Sequence, residues 1–478
     1  MSHKVAGTIV FLTSGAVLVL EILAGRLLAP YFGVTLETFT AIIGVVLAGI
    51  AAGTWGGGRF ADSRRSPHQM IAPMLIAGGV LGAFAVPVVR AAGPALAPAG
   101  IAGLVVLTAA ALLPSTAILS AVSPVVVKTV LADLADTGSV VGRLSALGTA
   151  GALVGTFATG FILVARFPTA GIIIGAATAM VVMGVAVGLS THRRFPISAL
   201  IAVVGILGSS LVSSPCQLET RYFCASVIPD PGAEDGTLLL LDTITHAYVD
   251  AADPSHIEFS SIKMLAASIE TMTNGPVDAL HIGGGGFTLP GWLTATRTGS
   301  TNVVLELDRD LVDFVFEEMR PLPVDRVIAG DARTTMGTLD ETFDVVIGDA
   351  FGGLAVPWHL TTVEFLDQVS DRLDPDGFYA MNLIDHGDLD FIRAEVASVR
   401  LVFPHVLLMA GARQMESGGN FIVVGSHREI PADRIATLSD EMGHAVVVLG
   451  GSELDDFVGD AAVLTDGHAP VDQLLTTG

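Results

Sequence analysis

The stretch Asp278-Ala-Leu-His-Ile-Gly-Gly-Gly-Gly-Phe287 is an apolar run that ends in four consecutive glycines. A second apolar run, Val303-Val-Leu-Glu-Leu-Asp308, follows about twenty residues later and contains Glu306. The order predicts a strand, a glycine turn, a helix and a second strand. Glycines at such a turn let the backbone approach a ligand closely, and an acid at the next strand tip can bind ribose hydroxyls. Together these features predict a nucleoside ligand, whereas the glycines alone are also typical of a plain tight turn.

Two further acids follow predicted strands. Asp331 comes after Val327-Ile-Ala-Gly330, and Asp349 comes after the run that begins at Phe343. In an open parallel sheet the ligand lies at the carboxyl ends of the strands, so the acids at three strand tips would face one crevice. The alternative is that each acid only caps the helix that follows it.

The order of Gly283–Gly286, Glu306, Asp331 and Asp349 resembles the spermidine synthase family, aminopropyltransferases with an S-adenosylmethionine-methyltransferase-like fold. The resemblance covers roughly residues 236–425. It includes three flanking segments that resemble the family's hairpin, its Tyr-His-Glu-like segment and the stretch after its catalytic loop: Leu241–Tyr248, His256–Glu258 and Val356–Phe365.

The resemblance implies a role for each matched residue. The nucleoside half of the site would comprise Gly283, Gly284, Gly285, Glu306, Asp331 and Ala332. Within it, Glu306 would hold the ribose and Asp331 would lie near the adenine. Asp349 would be the base that takes a proton from the attacking amine. Decarboxylated S-adenosylmethionine, or a related thionucleoside, would be a co-substrate, with no permanently bound cofactor and no metal.

The chain departs from the family pattern at three positions. Gly286 stands where the glycine loop usually carries an acid, and Gly352 stands where the catalytic loop has a second acid. His256 replaces the family's tyrosine near the amine. The nucleoside half of the predicted site is therefore better preserved than the amine half.

Five aromatic or imidazole side chains are candidates for the amine side of the site, which would receive a polyamine or another small cationic amine. They are His246, Tyr248, His256, Trp358 and His359. A purely structural role is the alternative for each of them.

Charge divides the chain of 478 residues into two parts. Residues 1–215 hold 11 Lys and Arg against 5 Asp and Glu, and the remainder holds 13 against 42. A mildly basic, apolar part thus precedes a strongly acidic part, which predicts domains at 1–215 and 216–478. An acidic surface repels nucleic acid and attracts cations such as polyamines, although solubility alone can account for the charge.

The first part is predicted to be an all-α transmembrane bundle. A bilayer-spanning helix needs about 20 apolar residues. Seven segments qualify: 5–25, 38–58, 70–90, 100–122, 142–164, 169–190 and 196–213. Val125–Asp136 carries three charges, which indicates an interfacial helix or loop, and Gly-xxx-Gly spacings favour close helix packing. The pattern around Glu21, Arg26 and Gly56–Asp62 resembles the membrane half of bacterial chains that fuse a multispan domain to a spermidine-synthase-like domain.

Basic residues predict the orientation of the spans. Eight of them fall in one set of loops, namely Lys4, Arg59, Arg64, Arg65, Lys128, Arg143, Arg193 and Arg194, and three fall in the opposite set, namely Arg26, Arg90 and Arg166. The N-terminus is therefore predicted to be cytoplasmic in a multi-pass protein of the cell membrane. Seven spans then place the acidic domain outside, and an error of one span would reverse that conclusion.

The two cysteines of the chain, Cys216 and Cys224, lie just after the last predicted span. Their number and spacing do not fit a metal site, and they suit a local disulfide. A disulfide persists in an oxidising compartment, which agrees with the predicted orientation, whereas two reduced buried thiols are the alternative.

The acidic part is predicted to be an α/β, Rossmann-like domain preceded by a β-hairpin. The hairpin would use Thr237–Leu241 and His246–Val249. Strands are predicted near 278–283, 302–307, 325–329, 343–348, 377–384, 404–410 and 419–425, the last of them antiparallel. Alternation with helices indicates a doubly wound sheet.

Three functions remain open from the sequence. The first is a membrane-anchored aminopropyltransferase or another S-adenosyl-dependent transferase. The second is a module that binds a polyamine or nucleoside without turnover, and the third is a transporter whose soluble domain captures the ligand. Lipid contact and a homo-oligomer are compatible with all three.

The predicted orientation can be tested on intact cells. A membrane-impermeant amine reagent should label Lys263, the single lysine of the acidic domain, without lysis, because that domain is expected outside. Mass spectrometry of non-reduced peptides should show Cys216 linked to Cys224. Protection of the acidic domain until the cells are lysed would overturn the orientation.

Overall fold

A computed structural model of the chain describes residues 1–64, 66–131, 137–192, 213–353 and 355–475. Up to residue 192 it contains six long helices, which overlap the first six predicted spans. They are α1 (His3–Phe32), α2 (Leu36–Ser63), α3 (Ile71–Leu96), α4 (Gly100–Val130), α5 (Thr137–Ala158) and α6 (Thr169–His192). Apart from residue 213, the seventh predicted span lies outside the described residues.

Five continuous helical stretches among the described residues are long and apolar enough to cross a membrane. One of them, Pro67–Val130, has 64 residues and contains both α3 and α4. A straight helix of that length would be about three times as long as a bilayer is thick. The chain turns between the two helices at Gly100, whose φ of +58° favours glycine.

Glycines bring these helices into close contact, as the Gly-xxx-Gly spacings predict. A side chain on Gly53 of α2 would collide with the Ala117 carbonyl oxygen of α4. A Cβ on Gly155 of α5 would lie 2.7 Å from the Gly15 carbonyl oxygen of α1. Backbones that approach this closely gain van der Waals contact in an apolar surrounding.

The prediction of an interfacial helix or loop at Val125–Asp136 is wrong in its first half. Residues 125–130 are the last turns of α4, and Val125 and Val126 are buried. Lys128 points away and pairs with Asp62 at the end of α2, with 2.9 Å between Nζ and Oδ1. The salt bridge accommodates the charge of Lys128 in the last turn of α4, so the helix is not interrupted there.

The disulfide loop belongs to the same compact unit as the helices, which includes residues 1–226 and 241–243. The sulfur atoms of Cys216 and Cys224 are 2.04 Å apart, so the predicted pairing is present. The Glu219 carboxylate accepts a hydrogen bond from the backbone N–H of Thr169, at 2.7 Å. Arg26 donates to the carbonyl oxygens of residues 220 and 221, at 2.5 and 2.6 Å.

A four-stranded sheet follows in the chain. Its strands are β1 (Leu218–Glu219), β2 (Cys224–Pro229), β3 (Gly236–Leu241) and β4 (Ile244–Asp250), and they lie in this order. The last two form the predicted hairpin.

An eight-stranded sheet forms the centre of the second unit. Its strands are β5 (Asp278–Ile282), β6 (Thr301–Glu306), β7 (Arg326–Ala329), β8 (Phe343–Gly348), β9 (Leu373–Asp385), β10 (His405–Ala410), β11 (Gly419–Ser426) and β12 (Val447–Leu449). The strand order is β12-β10-β11-β9-β8-β5-β6-β7. The pairs from β7 to β9 are parallel, and β11 is antiparallel to both neighbours, as predicted. The edge strand β12 was not predicted.

Helices cover both faces of this sheet. They are α7 (Ser260–Met272), α8 (Thr288–Thr296), α9 (Arg309–Glu318), α10 (Ala332–Met336), α11 (Val363–Ser370), α12 (Asp390–Val402), α13 (Ala412–Ser417), α14 (Ala432–Glu441), α15 (Gly451–Val458) and α16 (Val471–Leu474). Two separate hydrophobic cores result, one on each face. This arrangement confirms the predicted doubly wound α/β domain with a preceding hairpin.

One buried carboxyl is exceptional in these cores. Glu395 of α12 is fully buried, and neither of its oxygens has a hydrogen-bond partner among the described residues. Burial raises its pKa well above the usual value for glutamate, because the charged form is poorly solvated there.

The free energy of unfolding should therefore depend on the proton held by Glu395. Because the folded-state pKa is raised, stability is greatest at low pH and falls as pH rises above the unfolded value. Glu395→Gln should flatten the decline in melting temperature between about pH 5 and about pH 8. Glu395→Leu should raise the melting temperature at neutral pH by about 2–4 °C for each kcal/mol recovered.

Scanning fluorimetry of the detergent-solubilised chain measures both effects. Glu441→Gln is the matched control, because Glu441 is exposed at the end of α14. Equal pH profiles for wild type and Glu395→Gln would show that Glu395 does not control this dependence.

Candidate functional site

The glycine loop holds the ends of β5 and β8 against each other. Gly283 has a φ of +97°, and a side chain on it would collide with the backbone carbonyl of Asp349. The backbone N–H of Asp349 donates to the Ile282 carbonyl at 2.8 Å. Gly285 and Phe287 also have positive φ, at +48° and +57°. Glycine is required at 283 for both conformation and space, so the loop follows directly from the sequence.

Glu306 ends β6 and fixes this loop. Its Oε2 accepts a hydrogen bond from the backbone N–H of Gly284 at 2.7 Å, and its Oε1 accepts one from the N–H of Asp308 at 2.9 Å. Burial raises the pKa of Glu306, although the hydrogen bonds from Asp308 and Gly284 act in the opposite direction. The carboxylate therefore orders the glycine loop.

Asp349 lies just after β8 and is held by a chain of two amides. Asn382 of β9 donates from Nδ2 to Asp349 Oδ1 at 2.9 Å, and Asn420 of β11 donates to Asn382 Oδ1 at 3.0 Å. Burial raises the pKa of Asp349, and the Asn382 hydrogen bond partly offsets this. The sequence offered one signal for Asn382, an amide inside the apolar run 378–383 of a central strand.

A cleft opens beside the loop and Asp349. Six of the residues proposed from the sequence line it: His246, Tyr248, Gly283, Gly284, Gly285 and Asp349. The lining also includes residues that the sequence did not suggest for the site, among them Glu258, His281 and Thr288. The enclosed space measures about 40 Å³, and about 500 Å³ with the open mouth included. A ligand larger than a few atoms must therefore extend through the mouth.

Two histidines of the cleft are neutral at physiological pH. Burial lowers the pKa of His246 to about 4 and that of His281 to about 4, because a charged imidazole would be poorly solvated. His281 also shares a hydrogen bond with the Asn302 side chain, at 2.8 Å. These imidazoles can bind an amine without repelling its positive charge.

Tyr248 and His256 lie together at the hairpin. Their rings are 5.6 Å apart in an edge arrangement, and the Tyr248 backbone carbonyl accepts a hydrogen bond from Thr288 at 2.7 Å. His256 is exposed and lies 3.3 Å from the carboxylate of Glu258, which lines the cleft. His256 itself is not a lining residue.

The remaining predicted residues form a second cluster at the end of β7. Asp331 Oδ1 caps α10 by accepting from the N–H of Thr334 at 3.1 Å, and its Oδ2 lies 2.7 Å from His359 Nε2. Burial would raise the pKa of Asp331, but the hydrogen bonds from Thr334 and His359 together lower it. Ala332 begins α10, and Trp358 is 51% exposed beside His359. None of these residues lines the cleft, so His359 is on the Asp331 side rather than with His246.

The two glycines that replace family acids differ in their surroundings. A Cβ on Gly286 would lie 2.5 Å from the Ala247 Cβ of β4, so an acid there requires the hairpin to move. A Cβ on Gly352 would have its nearest neighbour at 3.9 Å. Gly286 is thus imposed by packing, whereas position 352 has room for a side chain.

No group of three or more His, Cys, Asp or Glu side chains within the described residues is arranged to hold a metal ion. The site combines a glycine loop after β5, a carboxylate at the tip of each of β6, β7 and β8, and a small cleft. Together with the strand order, these features define an α/β domain of the S-adenosylmethionine-methyltransferase-like class.

Comparison with known proteins specifies the class further. A curated polyamine aminopropyltransferase from Vibrio vulnificus is 30% identical over 165 residues, which are 33% of this chain and 54% of that protein. The chain thus spans about half the length of this relative. A structure of a probable spermidine synthase from Corynebacterium glutamicum is 25% identical with a TM-score of 0.50, covering 54% of this chain and 99% of that one. No family model matches the chain.

In sequence and in fold, the C-terminal α/β part is therefore similar to the spermidine synthase family.

The role of Glu306 can be tested by calorimetric titration with 5′-methylthioadenosine. Glu306→Gln should weaken binding by roughly tenfold or more, because an amide replaces an oxygen that accepts from the glycine loop and a charged acceptor for ribose is lost. Glu317→Gln on the exposed face of α9 is the control. An unchanged affinity would remove Glu306 from the site.

Proposed function

We propose that the α/β domain transfers an aminopropyl group from decarboxylated S-adenosylmethionine, or a related thionucleoside, to a polyamine or similar amine. The observation that carries the proposal is Asp349, a half-buried carboxyl at a strand tip that lines the cleft beside the glycine loop. Similarity to a polyamine aminopropyltransferase and to a probable spermidine synthase supports the reaction type.

In this reaction a neutral amine nitrogen attacks the carbon next to the sulfonium. The new C–N bond forms as the C–S bond breaks, the electron pair of that bond stays on sulfur, and the nitrogen releases one proton. Asp349 is proposed as the base that accepts this proton. Its raised pKa suits that role, because a base works best when its pKa approaches the operating pH.

The cleft supports an amine at Asp349 and a nucleoside outside it. Its enclosed 40 Å³ suffices for an amine nitrogen but not for an adenosine. The nucleoside is proposed to lie across the strand tips, with its ribose at Glu306 and its adenine towards Asp331 and Ala332. His246 and Tyr248 would line the amine side, and Glu258 adds a second carboxylate there.

The attachment to a membrane is also a proposal. Five apolar helical stretches support it, and the Cys216–Cys224 disulfide supports an extracytoplasmic site for the loop that follows. On this basis the transmembrane domain would comprise residues 1–215 and the transferase domain residues 216–478, with the N-terminus in the cytoplasm. The decarboxylated donor would then have to reach the extracytoplasmic side.

Asp349→Asn tests the catalytic assignment. Turnover of decarboxylated S-adenosylmethionine with putrescine should fall about 10²–10⁴-fold, because the general base is lost. Calorimetric binding of 5′-methylthioadenosine should be retained. Asp376→Asn, an exposed aspartate on the far turn of β9, is the matched control.

A second variant tests the direction in which the rate depends on pH. The base must be ionised, so the rate should fall as pH falls through the raised pKa of Asp349. Asn382→Ala removes a hydrogen bond that lowers this pKa and should move the acid limb to higher pH. Wild-type turnover by Asp349→Asn would refute the assignment, and ligand binding with no turnover by the wild type would indicate a binding module.

A further inference from the structure

A cleft lies among four helices of the N-terminal unit. It has a volume of about 290 Å³ and lies between α1 and α5 on one side and α2 and α4 on the other. It is lined by Val10, Thr13, Ser14, Val17, Leu18, Ile50, Thr54, Leu119, Ser120, Ser123, Leu144, Ser145, Gly148, Thr149 and Ala152.

Glycine contacts hold the two helices of each wall of the cleft close together. Gly155 of α5 packs on Gly15 of α1, and a Cβ on Gly57 of α2 would lie 2.6 Å from the Ala121 carbonyl of α4. Each pair of helices is therefore packed backbone to backbone. The side chains in the space between the two helix pairs are too small to fill it.

Hydroxyl groups are concentrated in this space. Thr13 donates to its own helix at the Ile9 carbonyl, at 2.9 Å. The other six have no hydrogen-bond partner among the described residues: Ser14, Thr54, Ser120, Ser123, Ser145 and Thr149. In an apolar helical bundle, unsatisfied polar groups are costly. None of these six residues is fully buried: Thr54, Ser145 and Thr149 are exposed, and Ser14, Ser120 and Ser123 are half-buried. The cleft therefore presents their hydroxyl groups to a polar occupant.

The charge beyond the Val17 end of the cleft is negative. Residues 10, 14, 17 and 21 share one face of α1, so Glu21 lies one turn beyond the lining residues Val17 and Leu18. Within the described parts of α1–α6, Glu21 is the carboxylate that lies away from the helix ends, because Glu37 and Asp62 are in terminal turns. Glu21 is half-buried, and a carboxylate within a membrane helix is usually paired or functional.

We propose that this cleft binds an elongated alkylammonium ion. Its N–H groups would donate to the free hydroxyl oxygens and to Glu21, and its methylene groups would pack against the apolar lining, including Ile50, Leu119 and Leu144. The argument uses only the helical unit, and it holds whether or not the α/β domain is a transferase.

Thiol labelling of the full-length chain in lipid nanodiscs tests this proposal. Both native cysteines are in the disulfide, so Ser120→Cys or Ser145→Cys introduces a single free thiol. Each variant is treated with 2-aminoethyl methanethiosulfonate, with and without 1,4-diaminobutane. Thr178→Cys is the control. Thr178 is exposed on α6, outside the cleft, and its native hydroxyl donates a hydrogen bond to the Ile174 carbonyl oxygen.

Diaminobutane at about ten times its dissociation constant should slow labelling of the two cleft thiols by about tenfold by mass action. Labelling at Thr178→Cys should not change, and 1,4-butanediol should not protect. In the Glu21→Gln background, the diamine concentration for half-protection should rise by about 10- to 100-fold.

Three outcomes would overturn the proposal. Equal protection by butanediol would indicate a neutral polar ligand. Absence of protection by the diamine would show that the cleft does not bind it. Cleft thiols that do not react in the folded chain would show that the space is closed or is covered by another helix or a second copy.

Discussion

The close approach of Gly283 to the backbone of Asp349 is the constraint on which the α/β site depends. The parallel pairing of β5 with β8 brings the two strand tips side by side, and a side chain at 283 would force them apart. Glu306 adds a second constraint from the other side, because its carboxylate accepts from the backbone of Gly284. The loop, the base candidate and the ribose candidate are thereby held on three adjacent strands.

The electrostatics of the cleft follow from burial. Asp349 has a raised pKa, and His246 and His281 have lowered ones, for the same reason: each charged form loses solvation. An ammonium group entering the cleft would meet carboxylates and neutral imidazoles. The long-range field of the acidic domain would favour its approach, and the carboxylate of Asp349 would be placed to accept its proton.

The sequence predicted the parts of the fold that depend on local patterns. Apolar runs followed by glycine or acid located the strands β5 to β11, and continuous apolar segments located six helices. β12 was missed because it has three residues, too few to show a period. Residues 125–130 were misassigned because Lys128 suggested an interface, whereas a partner on another helix, Asp62, accommodates the charge.

The candidate site, like the fold, could be predicted only where local patterns determine the position of a residue. Strand-tip acids were found because parallel strands fix their position, but Asn382 was missed since its role comes from a neighbouring strand. His359 follows a loop, and no period indicates that its partner is Asp331. The positions of side chains on strands can be predicted from the sequence, whereas the positions of side chains on loops require the structure.

Arg26 holds the disulfide loop by its main chain, since both groups that it contacts are carbonyl oxygens. Recognition of carbonyls does not depend on which side chains follow them. A substitution at the exposed Arg221 can therefore leave this attachment intact. Thr220 differs, because its buried hydroxyl accepts hydrogen bonds from the backbone N–H groups of Tyr222 and Phe223, each at 3.0 Å, and so holds the turn. Glu219 has no such freedom, because its own carboxylate makes the contact with α6. The loop thus contains two positions, 219 and 220, whose side chains make hydrogen bonds, and one, 221, where the contact is made by the carbonyl oxygen, which accepts from Arg26.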